Sequence, residues 1–431
     1  MRTSVVAAAT FVLLASLLLG GTSVATAQEG ATETSIAPPP LSGADPAAVL
    51  ASLTPEERVG QLFLAAFLGA DFGPDSDVAG LIREAALGGV VLQASSANIA
   101  NAPGGGPGKV ASDVASLQSA ALGPGGNGIP LFVAVDHEGD GEPLTHLRFG
   151  YTPVPSAMAI GGTWSPEMAG AVGEVVGREL AASGVNMLLG PVLDVLAEPS
   201  SSQRGDIGVR AFGGDPYWVG LLGRAYISGV HAGGGGRVLT VAKHFPGHGA
   251  SDRLPDTEVA TVSKSLAELR RVEIPPFEAV TRGAPGSDPS VTDALMTSHI
   301  RYRGFQGNLR DTTPPISLDP EALATVFALE ESPLSGWRRE GGLVVADSLG
   351  VRALRRYDDP TGQSFRHRDI ARKALEAGND MLIVSQFATR NEWRLQRANL
   401  LDTVAYFAQT YRTDRAFAAR VDAAALAVLK R

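Results

Sequence analysis

The chain has 431 residues, with 36 Lys plus Arg against 45 Asp plus Glu, a formal net charge of −9 and no cysteine. That acidic balance argues against nucleic acid or an anionic membrane as the main partner, because both require a basic face. The lack of cysteine excludes disulfides, thiolate metal sites and lipid attachment at a lipobox cysteine.

The first segment reads as an export signal. Arg2 supplies a positive charge, residues 5–19 are apolar or small, and Ala25-Thr26-Ala27 matches the small-x-small pattern of signal peptidase. The run is shorter than the ~20 residues of a comfortable span. A signal peptide over residues 1–27 is therefore expected, with secretion and no stable membrane insertion after cleavage. Residues 28–45 begin rich in Pro, Ser, Thr and Gly and read as a flexible linker. Residues 46–431 read as one domain. About 400 residues remain after cleavage, more than the ~250 typical of a (β/α)₈ barrel but within its range.

Short apolar runs rich in Val, Ile, Leu and Phe then recur at residues 59–64, 89–92, 131–135, 187–192, 238–242, 294–297, 343–346 and 381–384. Continuous rather than alternating runs suit strands buried on both faces, as in parallel sheets. Ser165-Pro166-Glu167 and Asp319-Pro320-Glu321 each supply an N-cap, a proline at the first helical position and an acidic first turn. Gly184 can end the first of these helices. Eight strands alternating with helices favour a barrel or a doubly wound sheet. Eight is the number that closes a barrel, so the expected fold is α/β, a single (β/α)₈ TIM-type barrel.

Polar residues follow these strands in a pattern. Strand three ends at Asp136, strand four at Asp194, strand five at Lys243-His244, strand six at His299 and strand seven at Asp347. A barrel gathers all its strand C-termini on one rim, where catalytic groups sit. Five ionisable strand ends would thus share one pocket.

Lys243-His244-Phe245-Pro246-Gly247-His248-Gly249 is the most specific motif. It resembles the signature of glycoside hydrolase family 3, in particular its single-domain bacterial β-N-acetylglucosaminidases (β-hexosaminidases). Other segments are similar to the same family in chain order: Val59-Gly60-Gln61, Asp136-His137-Glu138-Gly139, Gly190-Pro191-Val192-Leu193-Asp194-Val195, Val209-Arg210-Ala211-Phe212-Gly213, Met296-Thr297-Ser298-His299-Ile300, Ala346-Asp347-Ser348-Leu349 and Ala377-Gly378-Asn379-Asp380. The resemblance implies that Asp347 is the nucleophile of a retaining mechanism. It implies that Asp136, Arg210, Lys243 and His244 hydrogen-bond sugar hydroxyls, with His299 and Asp194 on the pocket floor or just behind its lining. His248 and His299 are also expected to be substrate-binding. These roles agree with chemistry: an oxocarbenium-like transition state needs a carboxylate beneath the ring, and nearby cations keep that carboxylate ionised.

Two departures from the family pattern stand out. Retaining hydrolysis needs an acid that later serves as base, and in the resembling branch it is a histidine in an Asp-Ser-His triplet after the signature. Here the segment reads Ala250-Ser251-Asp252-Arg253-Leu254-Pro255-Asp256-Thr257-Glu258, without that triplet. Asp252 is the expected substitute, with His248, Asp256 and Glu258 behind it. The arginine usual after the Asp-x-Glu-Gly turn is also missing, leaving Arg148 or His146 to fill in.

No cofactor and no metal are expected. His244 and His248 have zinc-helix spacing, but Pro246 and Gly247 between them bar a helix. The Gly-rich stretches lack the strand-glycine-helix order of a nucleotide loop. The expected function is a secreted exo-β-N-acetylhexosaminidase that removes terminal β-linked N-acetylglucosamine from a carbohydrate partner of cell-wall or chitin type. β-Glucosidase specificity, or a sugar-binding protein that has lost turnover with the histidine, are the alternatives.

Overall fold

The computed structural model describes residues 44–139, 141, 143–196 and 207–431. The expected signal peptide (1–27), and the linker (28–45) up to residue 43, lie outside the described residues. Helix Pro46–Ser52 begins directly after, with Asp45 accepting the Ala47 N–H at 3.1 Å as its N-cap. Among the described residues, no helix is long and apolar enough to cross a membrane.

Eight parallel strands close into a barrel: β1 (Phe63–Ala66), β2 (Gly89–Leu92), β3 (Phe132–Val135), β4 (Met187–Leu188), β5 (Leu239–Phe245), β6 (Ala294–Thr297), β7 (Leu343–Ala346) and β8 (Met381–Val384). Each strand pairs with its sequence neighbours, and β1 pairs with β8 through Phe63 opposite Leu382 to complete the ring. The (β/α)₈ expectation is met. The apolar runs are continuous because alternate residues fill two different spaces. Leu64, Val91, Ala134, Met187, Val241, Met296, Val345 and Ile383 pack inside the barrel. Their neighbours Phe63, Val90, Val133, Leu188, Ala242, Leu295, Val344 and Leu382 join the outer core.

The two N-cap signals are realised as helices Pro166–Ala182 and Pro320–Phe327, capped by Ser165 and Asp319. Gly184 takes φ +74 just past the first of these helices. The start of β1 differs from expectation. Val59 and Gly60 close a helix, Pro55–Gly60, that a capping box between Thr54 and Glu57 initiates. The strand therefore begins only at Phe63. β4 is shorter than its apolar run and resumes as a single bridge between Val192 and Lys243. The Gly190-Pro191, Lys243-His244 and Phe245-Pro246 peptide bonds are cis.

Outside the barrel, Ala260–Val262 and Ile300–Tyr302 form a two-stranded parallel ribbon that the sequence reading did not anticipate. It follows β5 and β6 and ties down the loop between residues 249 and 259. Thr261 N–H donates to Asp252 Oδ1 at 2.8 Å, and Asp252 N–H donates to the Thr261 carbonyl at 3.2 Å.

Candidate active site

A cavity of about 190 Å³ opens at the C-terminal ends of the strands. Its wall carries Gln93 after β2, Asp136 after β3, Lys243 and His244 of β5, His299 after β6, Asp347 and Ser348 after β7, and Gln386 after β8. Loops add Arg210, His248 and Asp256. A larger cavity of about 450 Å³ opens beside the strands' N-terminal ends, lined by Gln61, Leu131, Asn186, Leu239 and Val428 among others. No Asp, Glu or His side chain is among its lining residues. The smaller cavity carries the chemistry.

Asp136 and Glu138 lie two apart just past β3, so the strand period aims both carboxylates to one side. Lys243 sits between them, its Nζ 2.5 Å from Asp136 Oδ1 and 2.7 Å from Glu138 Oε1. Arg210 grips Glu138 from the other side, with Nε at 2.6 Å and Nη2 at 3.0 Å. Burial pushes the Glu138 carboxyl up, but Lys243 and Arg210 hold it down to about 2. Burial likewise pushes Lys243 down, and Asp136 with Glu138 more than compensate, so it stays a cation. Charges can be buried here because each is paired.

Asp194 is fully buried behind the lining histidines and does not itself line the cavity. It accepts the His248 backbone N–H at 2.7 Å and the His244 Nδ1 at 2.7 Å. Burial raises its carboxyl, yet His248 and His244 bring it to about 2. Burial, joined by His248, pushes the His244 imidazole below its ordinary value despite Asp194. A neutral His244 facing an ionised Asp194 must carry its proton on Nδ1. Its Nε2 then accepts from Arg210 Nη2 at 3.4 Å.

The signature's glycines make this packing feasible. Gly247 adopts φ +116, and a Cβ on Gly249 would lie 2.0 Å from the Val195 carbonyl oxygen. The resulting turn stacks His248 on His244 with ring centroids 4.3 Å apart. The ligand atoms of Asp194, His244 and His248 lie within 4.8 Å of one another, a donor set that could accept a cation. A turn thus achieves what the absence of a helix argued against. Hydrogen bonds from His244 Nδ1 and the His248 amide already engage the Asp194 carboxylate there.

Asp347 lies opposite, just past β7, its Oδ1 accepting the Ser348 N–H at 2.7 Å. His299 supports that turn: its Nε2 lies 3.0 Å from the Ser348 carbonyl and its Nδ1 2.7 Å from Ser317 Oγ. Burial pushes His299 below its ordinary value, so the neutral ring donates from Nε2 and accepts the serine hydroxyl. Burial raises the Asp347 carboxyl, but His299, His244, the Ser348 amide and Lys243 together hold it below the usual range.

Of the eight residues expected in the site, seven line the cavity: Asp347, Asp136, Arg210, Lys243, His244, His248 and His299. Asp252 does not. Its carboxylate accepts from Arg253 at 2.7 and 3.1 Å and from the ribbon amide of Thr261. Burial raises that carboxyl, but Arg253 and the amide lower it overall, the opposite of what a proton donor needs. Asp256, four residues on, lines the cavity instead. Neither His146 nor Arg148 is among the lining residues.

The sequence profile of the Glycosyl hydrolase family 3 N terminal domain matches residues 54–427. The chain belongs to glycoside hydrolase family 3. A curated β-hexosaminidase from Nitrosomonas eutropha is 30% identical over 262 residues, covering 59% of this chain and 65% of that protein. This family 3 chain thus spans just under two thirds of that relative. Among solved structures, a family 3 β-N-acetylglucosaminidase from Paenibacillus sp. str. FPU-7 superposes with a TM-score of 0.70 at 28% identity, covering 88% of this chain and 62% of the other. A β-N-acetylhexosaminidase from Beutenbergia cavernae gives a TM-score of 0.69 at 28% identity, covering 88% and 98%. Membership of family 3, and these relatives, support a glycosidase.

Three features of this family 3 site escaped sequence reading. Glu138 unites Lys243 and Arg210, a role that the Asp-x-Glu-Gly segment did not reveal although it contains the residue. Asp194 anchors both histidines of the signature from behind the pocket wall. Ser317 and Ser348 fix His299 from loops distant in sequence, for which no local signal exists.

Proposed function

We propose that this protein is a retaining β-glycosidase, an exo-acting β-N-acetylhexosaminidase that releases terminal β-linked N-acetylglucosamine from cell-wall or chitin-type oligosaccharides. The observation that carries the reading is Asp347 on the wall of a cavity that Lys243, Arg210, His244 and Asp136 also line. Asp347 is ionised and presents a carboxylate to a sugar's anomeric carbon. Attack there forms a glycosyl-enzyme ester that water later hydrolyses, with net retention. The Asp136–Lys243 pair and the Arg210 guanidinium offer both acceptors and donors, matching hydroxyls that do both. The Beutenbergia and Paenibacillus relatives support the acetamido sugar. Export is proposed from Arg2, the apolar run and Ala25-Thr26-Ala27.

Hydrolysis of aryl glycosides tests this reading. Turnover of aryl N-acetylglucosaminide that disappears in Asp347→Asn is the expected result. Faster turnover of aryl glucoside would move the specificity to β-glucose. Sugar binding without turnover of any aryl glycoside would leave a binding protein, a reading favoured only by the histidine-free segment 249–258.

A further inference from the structure

Resting on the glycosidase reading, we infer that Asp256 is the acid/base catalyst of this enzyme. The general requirement is a group that can reach the glycosidic oxygen at the pocket mouth, on the leaving-group side of the sugar. Most titratable side chains on the cavity wall are largely buried within its polar network. Asp136 is paired with Lys243, and Arg210 with Glu138. Both ring nitrogens of His299 are engaged, by Ser317 and Ser348. Both nitrogens of His244 are engaged too, by Asp194 and Arg210. His248 is buried at the floor, stacked on His244 with its amide on Asp194.

Asp256 differs from all of these in position. It is exposed yet lines the cavity, which puts it at the opening where an aglycone leaves. Its main chain is fixed relative to the nucleophile: the Ala353 N–H, in the helix Arg352–Asp358 that follows Asp347, donates to the Asp256 carbonyl at 2.9 Å. Asp252 is held away by Arg253 and the ribbon. A seven-residue reach from the signature to Asp256, closed by the ribbon at its base, delivers a carboxyl to the site from the loop after β5.

The two steps balance. In the first, an Asp347 oxygen bonds to C1, the C1–O bond to the leaving group breaks, and the Asp256 carboxylic proton moves to the departing oxygen. In the second, the Asp256 carboxylate takes a proton from water, whose oxygen bonds to C1 as the C1–Asp347 ester bond breaks. Both carboxyl groups end as they began.

The test is Asp256→Ala and Asp256→Asn, each checked for a wild-type far-UV spectrum and melting temperature. On a chitooligosaccharide, kcat/KM is expected to fall by about 10²–10⁴, the usual contribution of a general acid. On a dinitrophenyl N-acetylglucosaminide, which needs no protonation, the first step survives, so a burst appears with lowered kcat and KM. Azide then restores turnover and yields the β-glycosyl azide. A merely structural residue would give none of that product. Equal losses on both substrates without azide product, or azide rescue in Asp252→Ala instead, would overturn the assignment while leaving the glycosidase reading intact. A wild-type protein inactive on every aryl glycoside would overturn both.

Discussion

Oδ2 of Asp194 lies 2.7 Å from Nδ1 of His244, buried behind the wall of the cavity. The pairing fixes the His244 tautomer, aims Nε2 at Arg210 and holds the signature turn through the His248 amide. Asp194→Asn keeps the shape but replaces an acceptor with an amide that can face the ring with its N–H. Loss of an orienting carboxylate of this kind lowers turnover strongly. A fall of roughly 10²-fold or more in kcat/KM on aryl N-acetylglucosaminide is expected, with a changed histidine Nδ1 resonance in the NMR spectrum. An unshifted resonance with wild-type turnover would show that Asp194 does not position His244.

Glu138 is the second anchor. Its carboxylate neutralises two cations, and the side chains of Glu138 and Lys243 are only 6% and 3% exposed. Glu138→Gln takes one carboxylate from Lys243, leaving it Asp136, and removes from Arg210 the carboxylate that it grips. Breaking a buried pair from one side costs about 3–5 kcal/mol. Chemical denaturation should show a loss of that order, insensitive to added salt. A change below about 1 kcal/mol, typical of exposed pairs, would mean that the cluster is solvated.

Acid should destabilise the fold in two stages. Burial pushes His137, His146, His244 and His299 below their ordinary values, His137 to about 4. The unfolded chain therefore binds protons near pH 6.5 that the folded chain refuses, and stability falls as pH drops below 6.5. His137 alone accounts for about 3 kcal/mol between pH 7 and 4. His231 acts in the opposite sense: burial lowers it, but Asp293 raises it overall. Below about pH 4 the depressed Glu138 and Asp194 add a further loss as they protonate. His137→Gln should flatten the first stage, which urea titrations at several pH values will measure.

The barrel was legible because its strands are buried on both faces, so residues 89–92, 294–297, 343–346 and 381–384 stood out as uninterrupted apolar runs. β1 was misplaced by four residues because Val59 is equally at home ending a helix; the Thr54-x-x-Glu57 capping box was the signal that decides it. The site was legible wherever a polar residue lies just past a strand, as Asp136 and Asp347 do directly and His299 does after Ser298. Of the loop side chains, Arg210 and His248 were reached through family motifs, whereas the 250–258 segment was not legible. Asp252 and Asp256 look alike in sequence, and only the ribbon formed with residues 300–302, together with Arg253, turns one away and leaves the other at the cavity.

Close packing at Gly249 gives a further check on the signature turn. A methyl group there would sit 2.0 Å from the Val195 carbonyl, so main chain must shift. Gly249→Ala is expected to cost about 1–3 kcal/mol, as overpacking does, and to reduce turnover by displacing His248. Calorimetry and aryl-glycoside kinetics on one sample will show both or refute the contact.

The central claim is that Asp347 becomes covalently glycosylated. A slowly turned-over N-acetylglucosaminyl fluorosugar, followed by proteolysis and mass spectrometry, measures this directly. The expected result is one sugar per chain, on the peptide containing Asp347, with no label in Asp347→Asn. A label on any other residue, or complete turnover with no trapped ester on Asp347, would contradict the account.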